Sequence, residues 1–134
     1  MKILLVDDEE ATLKALKTLL RTMGHESVLA SDGEEALGLF DSSFDIIITD
    51  YEMPEIDGYE LLNSVINELK SKIPVVVCTG QASVNTGFKF GQVVGKQGKL
   101  LLKPVDEDSL TNVLAWASEY VNDNDAECDG DFMI

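Results

Sequence analysis

The sequence Lys2-Ile3-Leu4-Leu5-Val6-Asp7-Asp8 is a short apolar run that closes on two acids, and Ile46-Ile47-Ile48-Thr49-Asp50 repeats this pattern. Short runs of branched apolar residues are typical of strands that are buried on both faces of a parallel sheet. Neighbouring parallel strands end at one edge of the sheet, so Asp7, Asp8 and Asp50 are expected to cluster there. Like charges that close raise each other's pKa unless a positive charge lies among them.

Two further apolar runs end in polar residues that can complement these acids. The run from Pro74 to Cys78 leads into the hydroxyl of Thr79, and Leu100-Leu101-Leu102 leads into Lys103-Pro104. Lys103 is therefore expected to supply a positive charge among the acids. Three acids, a hydroxyl and a lysine at strand ends predict a site for a hard cation and a phosphoryl group.

The remaining pattern alternates apolar runs with stretches of helical period, which predicts an α/β fold with a doubly wound, five-stranded parallel sheet and helices on both faces. The second strand is expected near 27–30. Asp32 is expected to cap the second helix, with Glu35 three residues on, and Asp106 is expected to cap the last. The predicted helices are 10–23, 33–40, 59–70, 81–99 and 107–121.

The helix expected at 81–99 is the weakest of the five because it contains Gly87, Gly91, Gly95 and Gly98. Each glycine costs about 1 kcal/mol relative to alanine inside a helix, so this helix is expected to be short, frayed or irregular. Residues 122–134 hold five acids and no base. We therefore expect one domain at 1–121, followed by a disordered acidic tail or linker.

Charge and hydropathy exclude several functional classes. The chain has 25 acidic and 10 basic residues, a formal net charge of −15, which disfavours direct binding to nucleic acid or to anionic lipid. It has neither an apolar run of about 20 residues nor a secretory signal pattern. We expect a cytoplasmic protein, in which Cys78 and Cys128 are free thiols.

In its motifs the chain resembles the receiver domains of two-component response regulators. The resemblance rests on Asp7-Asp8, on Asp50 followed by Tyr51-Glu52-Met53-Pro54 and Asp57-Gly58, on Thr79-Gly80 and on Lys103-Pro104, all in register with the β/α alternation. It covers about residues 1–121. The resemblance implies a flavodoxin-like sheet with strand order 2-1-3-4-5.

The resemblance also implies a role for each acid. Asp50 would take a phosphoryl group from a phosphohistidine on a histidine kinase or a histidine phosphotransfer protein. Asp8 and Asp50 would bind Mg²⁺, Asp7 would hold a metal-bound water, and the backbone carbonyl of Glu52 would complete the protein ligands. Such a chain catalyses its own phosphotransfer and dephosphorylation rather than turning over a substrate.

The same resemblance assigns the switch to Thr79, whose hydroxyl would move to the phosphoryl group, while Lys103 would bind a phosphoryl oxygen. Leu100 stands where the family usually carries a tyrosine or phenylalanine. For the output we expect an apolar patch of Trp116, Phe88, Phe90 and Leu100 that binds a downstream protein. A homodimer through the 81–121 face is a further expectation.

Two alternatives stay open on the sequence alone. An aspartyl-phosphate phosphohydrolase of the haloacid dehalogenase type usually has a second Asp two residues after its nucleophile, whereas this chain has Glu52 there. The chain could also be a receiver cut from a longer hybrid kinase or multidomain regulator.

Overall fold

The structure is a computed structural model that describes residues 1–51, 58–69, 71–80 and 97–133, with the backbone alone for 58, 59 and 121–133. From residue 2 to residue 79 strands and helices alternate along the chain. In order they are β1 (Lys2–Val6), α1 (Glu10–Thr22), β2 (Glu26–Ala30), α2 (Gly33–Leu39), β3 (Ile46–Asp50), α3 (Gly58–Asn63), β4 (Val75–Thr79), β5 (Gly98–Leu102) and α4 (Glu107–Met133).

The five strands form one parallel sheet in the order β2-β1-β3-β4-β5. This confirms the predicted fold class and strand order. All five residues of β3 are buried, as expected of a central strand covered on both faces. In its register, Val6 pairs with Thr49 and Asp50 pairs with Cys78, so the strand ends that carry the acids lie side by side.

Alternating side chains divide the interior into two cores, one on each face of the sheet. The α1/α4 core contains Leu13, Leu20, Leu110 and Ala117 together with the strand residues Ile3, Leu5, Ile46, Ile48, Val76 and Cys78. The α2/α3 core contains Ala36, Leu61 and Leu62 together with Leu4, Val6, Ile47, Val75 and Val77. The sheet is therefore covered on both sides, and its carboxyl edge stays open for a site.

The predicted helix signals are observed where side chains can be described. Asp32 accepts a hydrogen bond from the amide of Glu35 at 2.7 Å, and Asp106 accepts one from the amide of Ser109 at 2.8 Å. Gly24 follows α1 with φ of +89°, a left-handed conformation that glycine adopts without strain.

Three predicted boundaries were wrong. Ser64–Glu68 forms a π-helical turn where a continuous α-helix to residue 70 was expected. Strand β5 begins at Gly98, inside the helix predicted at 81–99, of which residues 81–96 lie outside the described part of the chain. Helix α4 continues to Met133, so the expectation of a disordered tail is corrected. No proline interrupts this segment, and its first glycine is Gly130, so no strong stop signal follows Val121.

Trp116 is half-buried, as predicted, but the patch expected around it was partly wrong. Its ring lies 6.0 Å from that of Tyr120, and the Lys99 ammonium lies 5.8 Å from its centroid. Trp116 packs against the α1/α4 core, whereas Leu100 packs against the α2/α3 core. Phe88 and Phe90 lie outside the described residues.

The cores generate a prediction with a matched control. Leu20→Ala removes a fully buried side chain and should lower the free energy of unfolding by roughly 2–5 kcal/mol, because lost burial and a cavity add together. The control is Leu69→Ala, at a side chain that is 52% exposed. It should lower the free energy of unfolding by no more than about 0.5 kcal/mol. Urea unfolding followed by circular dichroism measures both values, and equal losses would contradict the described core.

Candidate functional site

The centre of the site is an ion pair between Asp50 and Lys103. Asp50 is the last residue of β3 and is 6% exposed, and the Lys103 ammonium lies 2.7 Å from its Oδ1. Burial alone would lower the pKa of Lys103, but the hydrogen bond and the charge of Asp50 outweigh it and raise that pKa. Lys103 is therefore held in its charged form beside Asp50.

Two more carboxylates adjoin this pair. Asp7, Asp8 and Asp50 each offer an oxygen, and these oxygens all lie within 4.8 Å of one another. Asp7 is buried and Asp8 is exposed. Burial raises the pKa of Asp7, with the charges of Asp50 and Asp8 acting in the same direction, against a hydrogen bond from the Glu9 amide. Ionisation of Asp7 is therefore disfavoured in the folded protein.

Backbone hydrogen bonds hold the strand ends in this arrangement. The Tyr51 amide donates to the Cys78 carbonyl at 2.9 Å, and the Lys103 amide donates to the Thr79 carbonyl at 2.9 Å. The hydroxyl of Thr49 donates to the Asp50 carbonyl at 3.0 Å. The two amide bonds tie the ends of β3, β4 and β5 together at Asp50, Thr79 and Lys103, and the hydroxyl bond lies within β3.

Thr79 is the last residue of β4 and is only 2% exposed. Along β4, Val75 and Val77 face the α2/α3 core, so the alternation of the strand directs Thr79 to that same side. Leu100 pairs with Val77 and packs against the same core. Thr79 and Leu100 therefore share one face of the sheet, while Asp50 and Cys78 face the other.

A cavity of about 550 Å³ opens between α1 and the segment after β5. Its polar wall is formed by Asp7, Asp50 and Lys103. Its apolar wall is formed by Leu5, Leu13, Leu16, Ile48, Cys78, Pro104 and Val105. The Lys103-Pro104 peptide bond in its rim is cis.

The thiol of Cys78 is a poor nucleophile in this cavity. Burial raises its pKa to about 12, and the thiol rather than the reactive thiolate is therefore present at neutral pH. Among the described groups that line the cavity, the carboxylate of Asp50 is the better candidate for nucleophilic attack.

The donor set suits a hard divalent cation. Three carboxylate groups face the single ammonium of Lys103 within the described part of the site, which leaves negative charge that a dication would neutralise. Mg²⁺ prefers such carboxylate and water oxygens. Glu52, whose carbonyl was expected to contribute, lies outside the described residues.

The structure thus brings together Asp7, Asp8, Asp50 and Lys103, and it places Thr79 at the neighbouring strand end. Two features were missed by sequence reasoning. The bond from the Glu9 amide to Asp7 could have been anticipated, since an aspartate often accepts from the amide two residues on. The bond from Thr49 to the Asp50 carbonyl has no comparable signal, because its geometry depends on where β3 ends.

Comparison with known proteins identifies one family. The sequence profile of the response regulator receiver domain matches residues 3–115. The transcriptional regulatory protein ZraR of Escherichia coli is 36% identical over 128 residues, which cover 93% of this chain and 28% of that protein. A probable transcriptional regulator, ycf27 of Guillardia theta, is 39% identical over 94 residues, which cover 67% of this chain and 36% of that protein. The chain spans about a third of the length of these relatives.

Solved structures agree with the profile. The chemotaxis protein CheY4 of Vibrio cholerae is 31% identical, with a TM-score of 0.77 over 87% of this chain and 97% of that one. A CheY-like response regulator receiver domain protein of Methanospirillum hungatei is 27% identical, with a TM-score of 0.81 over 91% and 97% of the two chains. These receiver proteins share the sheet and helix arrangement described above.

The Asp50–Lys103 pair generates a prediction in metal-free protein. A double-mutant cycle with Asp50→Asn and Lys103→Gln should give a coupling free energy of roughly 0.5–2 kcal/mol, because Asp50 is buried while Lys103 is partly solvated. The exposed pair Lys14–Glu10 is the control and should give about 0.3–0.5 kcal/mol. Urea unfolding with EDTA present measures both cycles. Equal coupling in the two pairs would show that Lys103 does little to offset the acids.

Proposed function

The chain belongs to the response regulator receiver family, and we propose that Asp50 accepts a phosphoryl group from a phosphohistidine on a histidine kinase or phosphotransfer protein. The observation that carries this proposal is the buried Asp50 carboxylate held 2.7 Å from an ammonium. Two further carboxylates lie within metal-ligand range of it. This combination provides a nucleophile together with the charge neutralisation that phosphoryl transfer requires.

In the proposed transfer, a carboxylate oxygen of Asp50 attacks phosphorus while the phosphorus–nitrogen bond of the donor breaks. The bonding electrons leave with the imidazole nitrogen, and Asp50 becomes an acyl phosphate. The donor group would approach through the cavity beside α1, since Asp50 and Lys103 line its polar wall. The apolar wall would exclude part of the water that could otherwise hydrolyse the product.

Mg²⁺ would be held by Asp8 and Asp50, with Asp7 acting through a bound water and the Glu52 carbonyl completing the set. When bound, the ion would neutralise negative charge on the phosphoryl oxygens. Lys103 is positioned to add a second positive charge. We propose that its ammonium pairs with Asp50 before transfer and with a phosphoryl oxygen after it.

Thr79 is the proposed switch. A phosphoryl group on Asp50 adds about −1.5 to −2 charge and new acceptor oxygens. Asp50 and Thr79 are the last residues of their strands, so the Thr79 hydroxyl would reach these oxygens past the end of the sheet. The Thr79 carbonyl already accepts a hydrogen bond from the Lys103 amide. Movement of the Thr79 backbone would therefore displace Lys103 and the end of β5. Leu100, on the same face, offers no ring for an aromatic switch. We therefore propose that the output depends on backbone movement between β4 and β5.

The proposed output is protein binding. We assign it to the 81–121 face, where Trp116 and Tyr120 present a half-buried aromatic pair, either to a downstream protein or to a second copy of the chain. We do not propose direct nucleic-acid binding, given the net charge of −15. None of the described helices is long and apolar enough to span a bilayer, and we propose that the protein acts in the cytoplasm.

We also propose that residues 1–121 form the receiver unit and that 122–134 serve as an acidic linker. The support is that the receiver-family match covers residues 3–115, while residues 122–134 hold five acids and no base. The family match favours a receiver over a phosphohydrolase.

Labelling tests the nucleophile. With acetyl phosphate and Mg²⁺, the wild type should gain one base-labile phosphoryl group, and Asp50→Asn should gain none, because the amide lacks the attacking oxygen. Asp45→Asn, at the other end of the same segment and exposed, is the control and should label normally. Intact-mass spectrometry before and after mild alkali gives the result. Near-normal labelling of Asp50→Asn would overturn the assignment.

Thermal unfolding tests the metal. At ten times its dissociation constant, Mg²⁺ should stabilise the wild type by about 1.4 kcal/mol. Asp8→Ala should be more stable than the wild type in EDTA, because a like charge is gone, and should gain little from Mg²⁺. Glu9→Ala, the exposed neighbouring acid, is the control and should keep the wild-type response. A stabilisation by Mg²⁺ that survives Asp8→Ala would contradict the proposed ligands.

A further inference from the structure

A second cavity, of about 680 Å³, lies at the opposite end of the sheet from Asp50. It is bounded by the last turns of α1 and the start of the edge strand β2. Because β1 is five residues long, this cavity is on the order of 16 Å from the acid cluster. Its lining residues are Lys2, Lys17, Arg21, Gly24, His25, Glu26, Ser27 and Val28.

The lining of this α1–β2 cavity is basic in a chain that is otherwise strongly acidic. It holds three of the ten basic side chains and the one histidine, against a single acid, Glu26. The Lys2 ammonium is engaged elsewhere, with Ser43 at 2.6 Å and the Phe44 ring at 4.6 Å. Lys17 and Arg21, one turn apart on α1, form no ion pair with any residue in the described ranges. Two cations therefore remain for a ligand.

A buried hydroxyl adds an independent signal. Ser27 is 9% exposed, and its Oγ is buried without a hydrogen-bond partner among the residues that the structure describes. A buried hydroxyl left unpaired costs free energy, so a polar group that enters the cavity and bonds Ser27 would be favoured. A hydroxyl beside a guanidinium and an ammonium is a donor set that suits a phosphate oxygen.

The cavity lies at the C-terminus of α1, where the partial negative charge of the helix dipole repels anions. Hydrogen bonds to the last carbonyls reduce this repulsion. The last carbonyls of the helix already accept hydrogen bonds. The Leu19 carbonyl accepts from Met23, the Leu20 carbonyl from His25 and the Arg21 carbonyl from Gly24. Gly24 also lines the cavity, and no other described atom lies within 4 Å of the place where its side chain would stand.

We propose that the α1–β2 cavity binds a small phosphorylated molecule, with Arg21 and Lys17 contacting the phosphate group and the Ser27 hydroxyl donating to one of its oxygens. The cavity exceeds the volume of a bare phosphate and falls within the range of small-ligand sites, so it has room for an organic group on the phosphate. This site is separate from Asp50 and does not depend on the function proposed above.

Titration with glycerol 1-phosphate tests the proposal. In EDTA and at constant ionic strength, amide NMR shifts should change saturably at Gly24–Val28 and should stay constant at Asp50 and Tyr51. Free glycerol should produce no such change. Arg21→Gln and Lys17→Gln should each weaken binding by at least about fivefold. Lys14→Gln, the same charge change one turn earlier on α1, should weaken it by less than about twofold, because Lys14 pairs with Glu10.

Ser27→Ala separates a ligand site from an ordinary surface. It should weaken glycerol 1-phosphate binding without lowering the unliganded melting temperature, because the unpaired hydroxyl is removed. Three results would overturn the proposal. These are no saturable shift at Gly24–Val28, equal binding of phosphate ester and glycerol, or equal losses from the Lys14 and Lys17 variants. None of these results bears on the phosphorylation of Asp50. The proposed phosphate site can therefore fail while the proposed phosphoacceptor stands.

Discussion

The crowding of three carboxylates at one edge of the sheet is the constraint on which the site depends. Asp7 and Asp50 are buried and Asp8 lies beside them, so their repulsion must be offset. Lys103 offsets part of it through its contact with Asp50. Burial raises the pKa of Asp7, and the charges of Asp50 and Asp8 add to that rise. Burial raises the free energy of the ionised carboxylates in the unbound protein. The same burial strengthens their attraction for a dication.

The rest of the fold maintains this crowding. Asp50 is held in place because β3 is buried between β1 and β4, with Val6 opposite Thr49 and Cys78 opposite Asp50. Lys103 reaches the acids from the far edge strand because its amide bonds the Thr79 carbonyl. Helices pack on both faces of the sheet through the two cores, and the site lies at the strand ends. Ligands of such sheets bind at that edge, and the α1–β2 cavity is the exception that we propose.

The sheet and the acid site could be predicted because each depends on local patterns. Apolar runs ending in Asp7, Asp50 or Lys103 specify both a strand and the residue at its end. The π-helical turn at Ser64–Glu68 could not be predicted, because the helix ends directly after it and too few residues follow for a shift in the apolar period to show. Leu100 and Trp116 were wrongly expected to meet, since strand alternation assigns them to opposite faces. The α1–β2 cavity was missed because Lys17, Arg21 and Ser27 come together only after α1 packs beside β2.

A crystal structure with Mg²⁺ and beryllofluoride tests the central claim most directly, since this complex mimics a phosphoryl group on a carboxylate. The account predicts beryllium bonded to Asp50, the metal bound by Asp8 and Asp50, and the Lys103 ammonium moved from the Asp50 oxygen to a fluorine. The Thr79 hydroxyl should also contact a fluorine. Beryllofluoride on another acid, or a metal ion held without Asp8 and Asp50, would contradict the account.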